Sequence, residues 1–264
     1  MATARSESPL VGILGVGHLI NHLLPGLLRT DPAMRPSVLL GPRNAERAEA
    51  LSRRFGCPVA ADAADLVARS DVLLLAVRPF QVAEATAGLP FRADQTVVSL
   101  VAGTPIAAIA AAVRPARVLR AMPVTAAEFG VSPTCLFPAD PAIEALLAPA
   151  GPVIRLAAEA EFEAASVIAC YYGWVQALIG ETTGWLCRQG LGEESARRLA
   201  AEMTAAAART VVERRDEPID GLVAELCLPG SYTGQGLQIL GKADAFGPWR
   251  TAAEALLMRM KRGG

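Results

Sequence analysis

Five short apolar runs, each stopped by a turn signal, constrain the first half of this chain more than any other feature. Leu10-Val-Gly-Ile-Leu14 stops at glycine, Val38-Leu-Leu40 at Gly41-Pro42, Asp71 to Val77 at Arg78-Pro79, and Thr96 to Val101 at Ala102-Gly103; Val118-Leu-Arg120 is the fifth. Continuous apolar runs of this length are strands covered on both faces, the condition of a parallel sheet. Helical stretches lie between them: His18 to Leu28, Asn44 to Phe55 with Asn44 as N-cap, Ala61 to Ala68, Val82 to Ala87 and Pro105 to Val113. Strand and helix in alternation form the doubly wound pattern. From about Ala158 the strands stop. Glu159 to Arg188 and Glu193 to Arg215 read as long helices broken at Gly190-Leu191-Gly192, and Ile219 to Leu226, Thr233 to Leu240 and Pro248 to Met260 read as three more. The expectation is an α/β Rossmann-type dinucleotide-binding domain over residues 1–157, followed by an all-α dimerisation and substrate domain over 158–264.

Composition narrows the partners. The chain is 52% hydrophobic and 19% charged, too apolar to remain disordered. Its 25 Lys and Arg against 26 Asp and Glu create no basic field, so no nucleic-acid partner is expected. The best membrane candidate, Ala164 to Ile179, contains Gln176 and lies between Glu163 and Glu181, so it reads as a buried or interface helix. Met1 to Pro9 is polar, without the apolar core of a secretory signal, and the expected compartment is the cytoplasm. Five cysteines (Cys57, Cys135, Cys170, Cys187 and Cys227) form no C-x-x-C and read as free thiols, with no zinc site. The apolar excess then belongs to the two-faced sheet and to helices after Ala157 too apolar to cover themselves. That points to an obligate homodimer, with higher assembly left open.

The residues after the first strand carry the chemistry. Gly12-Ile-Leu-Gly15-Val-Gly17-His18-Leu19-Ile20 runs from strand through turn into helix. Gly15 and Gly17 allow a tight turn and close backbone approach to a pyrophosphate, and the helix N-terminus adds N–H donors and a positive dipole. Ile20 stands where a third small residue is usual, which demands altered helix–sheet packing. The second strand ends in Leu40-Gly41-Pro42-Arg43-Asn44, with no acid to hold ribose hydroxyls. Arg43 can pair with a 2′-phosphate and Asn44 can donate, so NADPH is expected, with NADH as the alternative. The plainer reading of Arg43 is a solvated turn residue. His18 and His22 have metal-ligand spacing, but no nearby carboxylate or cysteine completes a set; no metal is expected, and His18 is placed beside the phosphates.

In this order the motifs resemble the pyrroline-5-carboxylate reductase family over nearly the whole chain. The glycine segment is similar to its GFIGxGNM opening, Leu75-Ala76-Val77-Arg78-Pro79 to LAVKP, and Ser99 to Gly103 to S-x-x-AG. Arg120-Ala-Met122-Pro123-Val124-Thr125 is similar to R-x-MPNTP, and Pro229-Gly230-Ser231-Tyr232-Thr233 to PGGTT; Gly190-Leu191 matches the break in the family's helical domain. The resemblance implies NAD(P)H-dependent reduction of a cyclic imine, 1-pyrroline-5-carboxylate, to proline at a site completed by a homodimer. It places Ala76, Val77, Arg78, Pro79, Ala102, Gly103, Met122 and Pro123 at the cofactor with the glycine-turn residues. It places Thr233 as the catalytic hydroxyl, with Gly230, Ser231 and Tyr232 holding the substrate carboxylate. Ser and Thr at a helix start also serve as ordinary caps. Three positions depart from the pattern. Val124 replaces the Asn of MPNT, Arg78 the Lys of LAVKP, and Ile168-Ala-Cys-Tyr-Tyr-Gly-Trp174 the small residues of SGSGPAY. Tyr172 thereby becomes a candidate substrate contact, although Tyr171, Tyr172 and Trp174 also read as packing at a dimer interface. The departures leave two alternatives: a reductase of a different imine on the same fold, and a non-catalytic NADP(H)-binding sensor.

Overall fold

The structure is a computed structural model that describes residues 9–261. The first part is an α/β arrangement: β1 (Leu10–Leu14), α1 (His18–Leu27), β2 (Ser37–Leu40), α2 (Ala45–Phe55), α3 (Ala63–Arg69), β3 (Val72–Leu75), α4 (Val82–Thr86), β4 (Thr96–Ser99), α5 (Ile106–Ala112), β5 (Arg117–Met122), β6 (Thr134–Phe137), α6 (Pro141–Leu147) and β7 (Val153–Arg155). Among the described residues, helices follow without further strands: α7 (Phe162–Arg188), α8 (Glu193–Glu213), α9 (Ile219–Leu226), α10 (Tyr232–Lys242) and α11 (Gly247–Lys261). This is a Rossmann-type domain followed by a helical one.

The seven strands lie in the order β2-β1-β3-β4-β5-β6-β7. β1 sits between β2 and β3, with Val11 opposite both Val38 and Val72. The order reverses at β1, the switch point beside which α/β sheets bind ligands at the carboxyl ends of their strands. Both faces are covered, as the apolar runs require. Leu74, Val98 and Leu119 pack with Ile13, Ile20, Leu23 and Leu24 in one buried cluster. Leu73, Leu75 and Val97 pack with Leu39, Leu66 and Ile109 in the other. Ile20 is fully buried in the first cluster, so the packing accommodates a branched side chain where a small one is usual.

The sheet extends beyond the five expected strands, and it is not wholly parallel. β6 runs antiparallel to β5, with Ala121 opposite Leu136, and β7 runs parallel to β6. The β5–β6 link contains only a short 3₁₀ turn, Thr125–Phe129. Without a crossover helix the chain must return antiparallel; α6 then supplies the crossover that β6 and β7 need. Asp140 caps α6 by accepting from the Ala142 and Ile143 N–H groups, and the Arg117 guanidinium beside it holds its carboxyl below the usual carboxylate range.

The chain divides into two compact units. One runs through Ala169 and takes in the chain from Arg259; the other is Cys170–Met258. The division falls inside α7 because its first turns are held against the sheet. Phe162, Ser166 and Val167 are buried there. Arg120 of β5, 1% exposed, places Nη1 at 2.9 Å from Glu163 Oε1 and 3.2 Å from Glu159 Oε1. Its guanidinium lies 4.0 Å over the Phe162 ring, and Glu159 Oε1 also accepts from the Ile106 N–H at 2.6 Å. One buried cation thus ties β5, the start of α5 and the start of α7. Arg120→Met is expected to cost roughly 3–5 kcal/mol at neutral pH, because two carboxylates lose their buried partner. Urea denaturation measures the loss; an unchanged midpoint would contradict this role for Arg120.

Candidate active site

At the carboxyl ends of β1, β2 and β3 lies a cleft of about 740 Å³ lined by Gly15, Val16, Gly17, His18 and Leu19 from the first turn, Arg43, Asn44, Ala45 and Arg47 from the second, Ala76 to Pro79 with Gln81 from the third, and Leu100 with Ala102 after β4. Its glycines do different work. Gly15 has φ +103°, and a Cβ there would lie 2.8 Å from the Ala76 carbonyl carbon and oxygen. Glycine is therefore the residue that lets the β1 turn pass the β3 turn. Gly17 has an extended backbone, and a Cβ built on it meets nothing within 4 Å. The space beside it is open to a ligand. α1 starts at the next residue with no side-chain cap and no acidic residue in its first turn, leaving its N–H groups and dipole directed at that space. This is a cradle that fits a pyrophosphate.

Gly12 takes a different place from the expected one. It is buried within β1, where a Cβ would fall 2.0 Å from Ser70 Oγ, so it serves strand–helix packing rather than lining the cleft. Gly103 adopts φ +65° in the turn after Ala102. Half-buried Met122 and buried Pro123 end β5, and the next N–H, of Val124, donates to buried Ser132 Oγ at 2.8 Å. Ser132 thus pins the segment in which Val124 replaces a polar residue; the sequence offered no sign of it.

The cleft wall carries His18, Arg43, Arg47 and Arg78 and, among the described residues, no carboxylate in its lining. Such a surface suits a polyanion. Asn44 Oδ1 accepts from the Arg47 N–H at 3.3 Å, capping α2 and setting Arg47 in its first turn. A basic residue three places after an N-cap beside the cleft was a readable signal for Arg47. Arg43 projects from the β2–α2 turn and is not free, for its Nη2 lies 2.9 Å from Glu84 Oε1 of α4. His18 and His22 meet edge to face at 4.9 Å, and His22 Nδ1 lies 2.9 Å from Glu128 Oε1.

The residues expected at the substrate belong to the Cys170–Met258 unit. Gly230, with φ +81°, and Ser231 lead into α10, where Ser231 Oγ accepts from the Gly234 N–H at 3.1 Å. Ser231 is thus an N-cap whose own hydroxyl hydrogen remains available to an acceptor. Gly230 and Ser231 line a groove with Cys227, Leu228, Gln235 and Gln238. Tyr232 and Thr233 follow in the first turn and are exposed. Tyr172 is half-buried on α7. The aromatic group on α7 is composed differently from the sequence expectation: Tyr171 lies 5.3 Å and Trp174 6.0 Å from the ring of Trp249 on α11, and Tyr172 is not among the stacked rings. Tyr171 and Trp174 are thus engaged with a residue far along the chain.

Comparison with known proteins agrees with this architecture. Residues 10–103 match the family described as NADP oxidoreductase coenzyme F420-dependent, and residues 159–262 match pyrroline-5-carboxylate reductase dimerisation. A pyrroline-5-carboxylate reductase of Mycobacterium tuberculosis is 30% identical over 276 residues, covering 96% of this chain and 90% of that one. The fold is similar to that of a Plasmodium falciparum pyrroline carboxylate reductase with NADP bound, at TM-score 0.83 and 18% identity over 98% of this chain and 99% of that one. It is also similar to a reductive aminase from Aspergillus terreus, at TM-score 0.59 and 19% identity over 97% of this chain and 92% of that one. The fold and the cleft define an oxidoreductase that uses a nicotinamide dinucleotide. The chain belongs to the pyrroline-5-carboxylate reductase family.

The two glycines of the turn separate in a mutational test. Gly17→Val leaves backbone and neighbours undisturbed, because the position is extended and open, yet it fills the space beside the α1 N-terminus. The expected outcome is an unchanged melting temperature with dinucleotide binding weakened at least about tenfold, as fluorescence titration would show; about 1.4 kcal/mol accounts for each tenfold. Normal binding would remove the phosphate reading of this turn.

Proposed function

We propose that the chain reduces the C=N bond of a cyclic imine with NADPH, the reaction being 1-pyrroline-5-carboxylate to proline. The observation that carries the reading is the cationic cleft at the sheet's switch point, in a chain of the pyrroline-5-carboxylate reductase family. The bound nicotinamide supplies the hydride; the protein supplies position and electrostatics. The N–H groups at Gly17, His18 and Leu19 hold the pyrophosphate, with Gly15 setting the turn. Arg43 and Asn44 take the 2′-phosphate, the feature that favours NADPH. Ala76, Val77, Arg78, Pro79, Ala102, Gly103, Met122 and Pro123 border the rest of the cofactor. Gly230, Ser231 and Tyr232 bind the substrate carboxylate. The Thr233 hydroxyl hydrogen-bonds the ring nitrogen, and Tyr172 borders the ring. In this reading residues 1–157 bind the cofactor and residues 158–264 complete the substrate site and the dimer. The five cysteines are free, which suits a reducing cytoplasm.

The homodimer rests on burial. In the Cys170–Met258 unit the buried hydrophobic residues are only Ala196, Ala200 and Leu222. Trp185, Met203, Val212, Leu226 and Leu228 are each more than half exposed. By length and composition the helical segment Glu159–Arg188 passes as a membrane span, and 17% of its apolar window is buried within the chain. A second copy laid on these helices buries that surface in a soluble assembly. Trp185→Glu together with Met203→Glu is expected to convert the dimer to smaller or aggregating species in sedimentation velocity. An unaltered dimer would place the interface elsewhere.

A different imine is the second reading. It is favoured by Val124 and by Cys170, Tyr171 and Tyr172, which stand where the family pattern has Asn and small residues. The similar A. terreus fold is that of a reductive aminase, which supports including other imines in the test. NADPH oxidation in the presence of 1-pyrroline-5-carboxylate and a panel of cyclic and secondary imines decides between the readings. Turnover of the pyrroline carboxylate is expected. Silence across a broad pH range, with another imine active, would transfer the assignment; tight cofactor binding with no imine active would favour a sensor.

A further inference from the structure

We propose that Glu84 is a specificity-determining residue that restrains the preference for a 2′-phosphorylated cofactor by competing for Arg43. The inference rests on the reading that Arg43 faces the adenosine ribose. Arg43 stands at the carboxyl end of β2, where dinucleotide folds discriminate between a ribose hydroxyl and a ribose phosphate. In this chain the discriminating acid is absent from β2 and arrives from across the cleft. Glu84 Oε1 lies 2.9 Å from Arg43 Nη2, on α4, one turn after Gln81 of the cleft lining. The ion pair therefore joins the β2 side of the cleft to the β3 side. Among the described residues Arg47 and Arg78 form no ion pair, so the carboxylate is directed at one of the three arginines only.

The consequence follows from charge. A 2′-phosphate that takes Arg43 must displace the carboxylate or settle beside it, and either costs binding. A ribose with a free 2′-hydroxyl makes no such demand and can donate to the same carboxylate. Both side chains are substantially exposed, 47% for Arg43 and 72% for Glu84, so the pair is easily parted and adds little to folding. Its effect falls on the choice of ligand rather than on stability.

Calorimetric binding of 2′-AMP and 5′-AMP to the full chain reads the effect without turnover. Glu84→Gln keeps size and removes charge. It should tighten 2′-AMP relative to 5′-AMP about fivefold, and lower the NADPH-to-NADH ratio of dissociation constants correspondingly. The gain should shrink at high salt, as a screened charge effect must. Glu84→Lys should move the ratio further the same way. Arg43→Ala is the separate control: weaker 2′-AMP binding, with 5′-AMP little changed, upholds the reading of Arg43. If Arg43→Ala leaves 2′-AMP binding intact, that reading and this inference fall together. If it weakens 2′-AMP while Glu84→Gln leaves the ratio unchanged, or shifts it toward 5′-AMP, the inference alone is overturned.

Discussion

At the end of β1 the backbone of Gly15 passes so close to Ala76 that a side-chain carbon would lie 2.8 Å from the Ala76 carbonyl. The first and third turns can share one cleft only through this approach. It brings the N-terminus of α1 beside the Ala76–Pro79 segment, and it leaves Gly17 facing open space. A similar economy holds the second turn, where a Cβ on Gly41 would meet the Ile13 carbonyl at 2.8 Å. The cleft is thus made by backbones that come together because side chains are missing. Its charge is then added by the side chains of Arg43, Arg47 and Arg78.

What was legible in the chain follows from the range of the forces involved. β1 to β4 are continuous apolar runs, and burial on both faces leaves no other way to arrange them. β6 escaped because its four residues, Thr134 to Phe137, lie between Pro133 and Pro138 and include a buried threonine. β7 escaped because it has three residues, two of them exposed. In the site, the glycine turn was readable because its chemistry is local. The Arg43–Glu84 pair was not, since its partners are 41 residues apart and charges carry no periodicity. Ser132 holding the Val124 N–H and Trp249 beside Tyr171 were hidden for the same reason. Gly12 was assigned to the ligand by its place in the motif, whereas its neighbour Ser70 shows that packing alone accounts for it.

The helical unit solves a different problem from the sheet. One of its internal links is polar: Arg214, just after α8, grips Glu225 of α9 through both terminal nitrogens at 2.7 Å and also pairs with Glu217. Ion pairs at the surface contribute little on their own. With so few buried apolar residues, the unit falls short of the core that an independent domain of this size requires. The 52% hydrophobic composition is therefore not explained by the sheet alone. The remainder lies on the exposed apolar faces of these helices.

Reduction of an imine asks less of side chains than most reactions do. Once the nitrogen carries a proton, the carbon accepts hydride readily, and the remaining task is to hold two molecules in register. The cleft fits that division of labour. Its lining consists of glycines, backbone N–H groups, small apolar residues and cations, which fix a polyanion without entering the bond-making. Cofactor recognition is consequently the part of the site under the tightest geometric constraint. At the start of α10, by contrast, Tyr232 and Thr233 are exposed and the cap is already supplied by Ser231, so side-chain replacement there leaves the fold undisturbed.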